Sequence, residues 1–272
     1  MTGNVNQNRI VVRGAGEMAT GVIRRLLVAG YEVIALEQPS PCFVRRYVCC
    51  AEAFYQKKIN IEEITAVLVN SPGEAITVSD DRAVPLLIDS AADSLSALLP
   101  LAVVDGRMLK ENIDSSLDLA PIVIGLGPGF IAGQNCHAAI ETNRGRELGK
   151  VFLEGHPQAD TGAPSEINGV GARRVLRSPA KGVFTAKCRI ADIVKAGQII
   201  GEIAGIPISA QIDGMVRGLI HDGLTVTTDQ KIGDIDPRPV RELCYRISDK
   251  ADTIGRGVLE ALEALKPRVN RE

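Results

Sequence analysis

The sequence predicts an α/β protein in which a parallel sheet covered by helices is followed by a β-rich region and a C-terminal helix. Short apolar runs alternate with helical patterns in the first half of the chain, where residues 10–12 and 31–36 flank a helical pattern at 17–28. Further apolar runs follow at residues 66–69, 85–88, 101–104 and 121–124. Because these runs are apolar on both faces, they are typical of parallel strands buried between layers of helices.

Composition and charge favour a cytoplasmic globular protein. The 272 residues are 45% hydrophobic and 24% charged, with a formal net charge of −2. Nucleic-acid-binding domains usually carry a basic face, and base-stacking surfaces need aromatic residues, which make up only 3% here. We therefore expect no nucleic-acid partner. No apolar stretch reaches the ~18 residues of a membrane span, and the polar N-terminus lacks a signal core, so we expect no membrane partner.

A glycine-rich turn follows the first predicted strand. It reads G-A-G-E-M-A, a G-x-G-x-x-A pattern between a strand and a helix. The first glycine allows a tight turn, the second lets the backbone approach a pyrophosphate, and the helix N-terminus favours an anion. This context predicts a Rossmann-like nucleotide-binding domain over residues 1–133. The candidate binding residues are Arg13, Gly14, Ala15, Gly16, Glu17, Met18, Ala19 and Thr20.

Two further features are expected at the same edge of the sheet. Glu37 ends the second strand about 20 positions after Gly16, where an acid binds the ribose of an NAD-like dinucleotide. A second glycine loop, I-G-L-G-P-G-F, follows the sixth strand at residues 124–130. We expect the segment 141–145 to close an interdomain cleft over both loops, with Arg144 as a phosphate partner. The further candidate residues are Gly125, Gly127, Gly129, Glu141, Thr142 and Arg144.

The second half of the chain predicts β structure. Residues 192–203 and 214–226 each combine glycines with short apolar runs, and together they resemble a biotinyl/lipoyl-like barrel-sandwich. The connection at 204–213 has no lysine, so we expect neither biotin nor lipoate. Cys136 and His137 have no partner ligand at zinc-like spacing, so no metal is expected. The predicted segments are a β-rich connecting region at 134–174, the barrel-sandwich at 175–240 and a C-terminal helical segment at 241–272, whose helix is expected over 247–265.

The order of the motifs along the chain is similar to that of a known family. The blocks are residues 13–21, 41–46, 124–130, 141–145, 231–238 and 247–251. On these blocks the chain resembles the YqeB-like family, accessory proteins of selenium-dependent molybdenum hydroxylase systems, over about residues 9–262. The resemblance implies a maturation role beside a molybdenum hydroxylase client.

The sequence leaves three functions open. The first is a maturation factor that binds a small phosphate-bearing ligand, either a nucleotide or a molybdopterin-type cofactor. Arg45 and Arg46 could hold its phosphate, or could be solvated surface arginines. The second is an NAD-dependent oxidoreductase, for which the sequence shows no proton-transfer residue. The third is a non-catalytic scaffold, with a turn that binds nothing. Catalytic residues, enzymatic activity and homo-oligomer formation are left open.

Overall fold

The computed structural model describes residues 5–78, 80, 82–160, 162 and 166–269. The chain divides into two compact units. Unit 1 contains the described residues of 5–41, 49–160 and 247–269, and unit 2 contains those of 42–48 and 162–246. Neither unit is a continuous segment, because each includes residues that are distant in the sequence.

Unit 1 is built on a nine-stranded sheet. Its strands are β1 (Asn6–Arg13), β2 (Glu32–Glu37), β3 (Lys58–Ile61), β4 (Ile64–Val69), β5 (Ala83–Ile88), β6 (Pro100–Asp105), β7 (Ile122–Leu126), β8 (Ala138–Ile140) and β9 (Val151–Phe152). The order across the sheet is β3-β4-β5-β2-β1-β6-β7-β8-β9. The inner strands, which are β4, β5, β2, β1, β6, β7 and β8 in this order, all pair in parallel. The outer strands β3 and β9 run antiparallel to their neighbours.

The helices of unit 1 differ greatly in length. They are α1 (Glu17–Val28), α2 (Ala53–Gln56), α3 (Pro72–Thr77), α4 (Leu95–Leu98) and α5 (Asp249–Val269). The long helices α1 and α5 pack against each other. A Cβ at Gly21 of α1 would lie 2.5 Å from the carbonyl carbon of Ala251 in α5, so the two backbones approach closely only because this side chain is absent.

The predicted C-terminal helix is confirmed. It begins at Asp249, and Ser248 caps it by accepting the N–H of Ala251 at 3.3 Å. A capping serine satisfies one of the N–H groups that the first helical turn leaves without a partner. Within the part of the chain that the structure describes, no helix combines the length and the hydropathy needed to cross a membrane.

Unit 2 contains two antiparallel four-stranded sheets. Its strands are β10 (Val175–Arg177), β11 (Gly182–Ala186), β12 (Ile193–Val194), β13 (Ile199–Ile203), β14 (Ile206–Ser209), β15 (Gly214–Leu219), β16 (Thr225–Val226) and β17 (Lys231–Asp236). One sheet has the order β10-β17-β15-β12 and the other β14-β13-β11-β16. Phe184, Ile203 and Val216 belong to one buried apolar cluster that draws on both sheets.

Two of the three parts of the predicted fold class are wrong. The first sheet is not a purely parallel, Rossmann-like sheet that is complete by residue 133, because β3 and β9 make it mixed and β8 and β9 extend it. The β-rich region forms two antiparallel sheets rather than a clear biotinyl/lipoyl-like barrel-sandwich. The apolar runs reveal the buried strands, but β3 alternates buried and exposed residues and β9 has only two residues.

Candidate functional site

The glycine-rich turn lies between β1 and α1, at the carboxyl edge of the mixed sheet. Gly14 has a φ of +88°, a conformation that glycine adopts without strain. Gly16 is the N-cap residue of α1, and its position offers no side-chain hydrogen bond to the helix. Gly16, Glu17 and Met18 are half-buried, whereas Ala15 and Ala19 are fully buried. The first turn of α1 is therefore the part of this segment that solvent reaches.

Glu37 is turned toward the glycine-rich turn. One carboxylate oxygen accepts the N–H of Ala15 at 2.8 Å, and the other accepts the N–H of Gln38 at 2.9 Å. Burial raises the pKa of Glu37, although both backbone hydrogen bonds act to lower it. The carboxylate thus holds the turn in shape, and its ribose-binding role stays a prediction.

Thr20 also serves the local structure. Its hydroxyl accepts the N–H of Cys50 at 2.9 Å and lies 3.4 Å from the carbonyl oxygen of Ala15, to which it donates. The side chain is fully buried. Thr20 therefore ties the start of α1 to the segment after residue 49.

Arg13 ends β1 beneath the turn. Its side chain is 2% exposed and forms an ion pair with Asp114, at 2.7 Å between Nη2 and Oδ2. A carboxylate oxygen of Asp105 lies 3.7 Å from its Nη1. The sequence identified Arg13 as a candidate but missed both acids, since Asp114 lies 101 positions away along the chain.

Arg107 is a second arginine at this site that the sequence did not identify. Its Nε and Nη2 donate to the two oxygens of Asp105 at 2.9 and 2.6 Å, and Nη2 also donates to Asp114 at 2.5 Å. A Cβ at Gly14 would lie 3.2 Å from Cγ of Arg107, so this side chain runs along the glycine-rich turn. The only sequence signal was an aspartate at a strand end followed two positions later by an arginine.

The pKa values at this cluster reflect the two arginines. Burial acts to lower the pKa of Arg107, but hydrogen bonds to Asp105 and Asp114 outweigh burial and raise it. Burial likewise acts to raise the pKa of Asp114, but the hydrogen bonds from Arg107 and Arg13 lower it to about 2. Arg107 and Asp114 therefore both carry charge at neutral pH.

Close packing explains the glycines of the predicted second loop, of which Gly125 lies within β7 and Gly127 and Gly129 follow the strand. A Cβ at Gly125 would lie 2.0 Å from Cγ of Phe130, whose ring is fully buried. A Cβ at Gly129 would lie 2.8 Å from the carbonyl oxygen of Leu109. Gly127 has a φ of +96°. These constraints account for the loop without a ligand, so its binding role stays a prediction.

The segment after β8 is held by internal contacts. Glu141 is 1% exposed, and its two oxygens accept the N–H groups of Asn143 and Gln158 at 2.7 and 2.8 Å. Arg144 forms a bidentate ion pair with Asp249, with both N–O distances at 2.8 Å. An anionic ligand at Arg144 would have to compete with this carboxylate.

Thr142 and the predicted arginine pair lie in different units. Thr142 is buried in unit 1, and its Oγ1 would lie 3.1 Å from a Cβ at Gly127. Arg45 and Arg46 belong to unit 2. Nη2 of Arg45 donates to two backbone carbonyls at 3.0 Å, and Nε of Arg46 donates to the carbonyl of Leu219 at 2.9 Å. Their phosphate-binding role stays a prediction.

No cluster of three or more His, Cys, Asp or Glu side chains suited to a metal ion occurs among the described residues. The site of unit 1 instead gathers two arginines and three acids around a glycine-rich turn: Arg13, Arg107, Glu37, Asp105 and Asp114. Such a set can bind oxyanions by charge-assisted hydrogen bonds once a carboxylate is displaced.

The fold and this site define a mixed α/β protein with an arginine-bearing turn at the carboxyl edge of its sheet. No protein-family model matches the chain. The chain is 45% identical over 256 residues to the uncharacterized protein YqeB of Escherichia coli (strain K12). The match covers 94% of this chain and 47% of YqeB, so the chain spans about half the length of the curated relative that it matches. This similarity supports a YqeB-like family.

Solved structures give weaker similarities. An aspartoacylase family protein from Mesorhizobium loti is 13% identical, with 85% of this chain and 86% of that chain covered and a TM-score of 0.27. A succinylglutamate desuccinylase/aspartoacylase from Rhodobacter sphaeroides is also 13% identical, with 86% of each chain covered and a TM-score of 0.28. TM-scores this low do not establish a common fold, and these identities do not transfer an activity.

Proposed function

We propose that this chain is a cytoplasmic accessory protein of a selenium-dependent molybdenum hydroxylase, and that it binds a nucleotide or a molybdopterin-type cofactor at the carboxyl edge of the mixed sheet. The client class rests on the motif resemblance described above. The ligand class rests on one observation. The turn that leads from Arg13 into α1 lies against Arg107, since a Cβ at Gly14 would lie 3.2 Å from Cγ of Arg107, and its last residue, the N-cap Gly16, has no side chain.

The first turn of α1 has the properties of a phosphate-binding element. A helix N-terminus carries a partial positive charge, and its first N–H groups have no partner within the helix. Gly16 has no side chain, so a ligand phosphate can approach the backbone closely at this position. The turn before the helix is held in place by Glu37, which accepts the N–H of Ala15.

Binding is tested by calorimetric titration with pyrophosphate, ADP, NAD and a pterin. Replacement of Gly16 by valine is expected to weaken binding about tenfold or more, because a branched side chain would stand where a phosphate meets the backbone. Gly73→Val in α3 is the matched control, since a Cβ there meets only Ser71 Oγ at 3.9 Å. Absence of binding of any nucleotide or pterin to the wild-type protein would contradict the ligand assignment.

The client role is tested in cells. Deletion of the gene should lower molybdenum hydroxylase activity in extracts, and the wild-type protein, but not the Gly16→Val variant, should restore it. Hydroxylase activity that is unchanged by the deletion would contradict the accessory role.

A further inference from the structure

Asp114 lies in a turn, residues 112–115, that is stabilised by its own hydrogen bonds and places the Asp114 carboxylate beside Arg13 and Arg107. Asn112 donates from Nδ2 to the carbonyl of Ser115 at 2.8 Å, and the N–H of Ser115 donates back to Oδ1 of Asn112 at 3.0 Å. This reciprocal pair leaves Ile113 and Asp114 at the tip of the turn, where Ile113 is 75% exposed. Ser115 also donates its hydroxyl to Asp105, which anchors the turn to the end of β6.

The Asp114 carboxylate is held as a bound anion would be. Its Oδ2 lies 2.7 Å from Nη2 of Arg13, and its Oδ1 lies 2.5 Å from Nη2 of Arg107. One oxyanion group bridging two guanidinium groups is the arrangement that arginine pairs offer to phosphates and carboxylates. The position is therefore suited to a ligand's oxyanion as well as to an aspartate.

Asp114 is the exchangeable acid at this site. Both oxygens of Glu37 accept backbone N–H groups, and Asp105 is fully buried with its oxygens engaged by Arg107 and Ser115. The side chain of Asp114 is 39% exposed, and its carboxylate accepts hydrogen bonds from the guanidinium groups of Arg13 and Arg107. Replacement of Asp114 by a solvent-borne anion leaves the hydrogen bonds between Glu37 and the backbone N–H groups of Ala15 and Gln38 in place.

We propose that Arg13 and Arg107 form an anion subsite which Asp114 fills as an internal stand-in, and that a phosphate group of the ligand displaces Asp114 on binding. This inference rests on the proposed ligand class and extends it by adding Arg107 as a binding residue. Ligand binding then carries the cost of moving the 112–115 turn, which lowers the apparent affinity of the wild-type protein in proportion to the fraction of open turn.

Pyrophosphate titration of the full chain tests this inference. Asp114→Ala is expected to bind pyrophosphate about tenfold more tightly than the wild type, because no internal anion competes. Glu111→Gln removes one negative charge from the same loop at an exposed position, and should change the affinity by no more than about twofold. Arg107→Gln should weaken binding about tenfold, and thermal unfolding verifies that each variant is folded.

Hydrogen exchange gives a second and independent readout. Added pyrophosphate should speed amide exchange over residues 111–116 in the wild type, because the turn leaves the arginines. Equal affinities of the wild type and Asp114→Ala, or an equal gain in Glu111→Gln, would overturn the inference, as would unchanged exchange in a protein that binds pyrophosphate. These results would leave the proposed function standing if ADP or NAD still binds. If none of these ligands binds, both the proposed ligand class and the anion subsite are contradicted.

Discussion

Acidic residues at the carboxyl ends of parallel strands hold loops in place in this protein. Glu37, at the end of β2, accepts two backbone N–H groups, and Glu141, just after β8, accepts two others. Asp105 ends β6 and is bound by Arg107. Both glutamates were expected from the sequence to face a ligand. An acid at a strand end predicts a polar function at that edge, but it does not distinguish loop closure from ligand recognition.

Replacement of Glu37 by glutamine is expected to alter the pH dependence of stability. Burial raises the pKa of Glu37 in the folded state, whereas a glutamate in the unfolded chain has a pKa of about 4.3. The folded chain therefore retains this proton to a higher pH, so the contribution of Glu37 to stability is greatest below the unfolded pKa and declines as pH rises through the folded pKa.

Urea unfolding of wild type and Glu37→Gln from about pH 4 upward measures this effect. The free energy of unfolding of the wild type should fall relative to that of the variant as pH rises. A difference between the two proteins that is independent of pH would show that Glu37 does not titrate differently on folding.

At the scale of elements, the contact between α1 and α5 depends on small residues and on one ion-pair network. Gly21 lies against Ala251, and a Cβ at Gly255 would lie 2.7 Å from the carbonyl oxygen of Gly21. Beside this close approach, Asp252 of α5 binds Arg25 of α1 through two hydrogen bonds at 2.7 and 2.5 Å. The backbones of α1 and α5 therefore pack in direct contact at these glycines.

Gly21→Ala is expected to destabilise the chain by about 1–3 kcal/mol, because its Cβ would meet the Ala251 backbone and force the helices apart. Intrinsic helix propensity alone would favour alanine by about 1 kcal/mol. Gly73→Ala in α3 is the control, since a Cβ there meets only Ser71 Oγ at 3.9 Å. Thermal unfolding should therefore show opposite signs for the two variants, and a stabilised Gly21→Ala would refute the close contact.

The sequence predicted elements best where burial alone determines the pattern. The strands β1, β2, β5, β6 and β7 are apolar runs, and α1 was predicted with its observed bounds. Partners distant in the chain were not predictable, because no local pattern joins Arg13 to Asp114 across 101 positions. The same limit applies to residues 42–48, which are joined to unit 2 by contacts such as the Leu219 N–H bond to the Val44 carbonyl at 2.8 Å.

At the scale of the whole molecule, unit 1 is assembled from distant parts of the chain. Its helix α5 follows all of unit 2 in sequence, yet its buried residues belong to unit 1. The fully buried side chains of α5 include Ile254, Val258 and Leu262. Covering these apolar groups removes them from water and stabilises the unit.

Removal of residues from 247 onward is expected to destabilise unit 1 by at least about 5 kcal/mol, because the face of α1 that packs on α5 becomes exposed. The shortened protein should bind a hydrophobic dye and lose its cooperative thermal transition for unit 1. A shortened protein with an unchanged transition would show that the mixed sheet is stable without α5.

The position of α5 also has a consequence during translation. A ribosome has synthesised the whole of unit 2 before α5 emerges, so the nascent sheet of unit 1 must wait for its covering helix. Throughout that interval the stripe of α1 that later contacts α5 is open to water and to chaperones. All residues of unit 2, which are contiguous apart from 42–48, have been synthesised by the end of this delay. The order of synthesis therefore makes unit 1, which begins first, the later of the two to be completed.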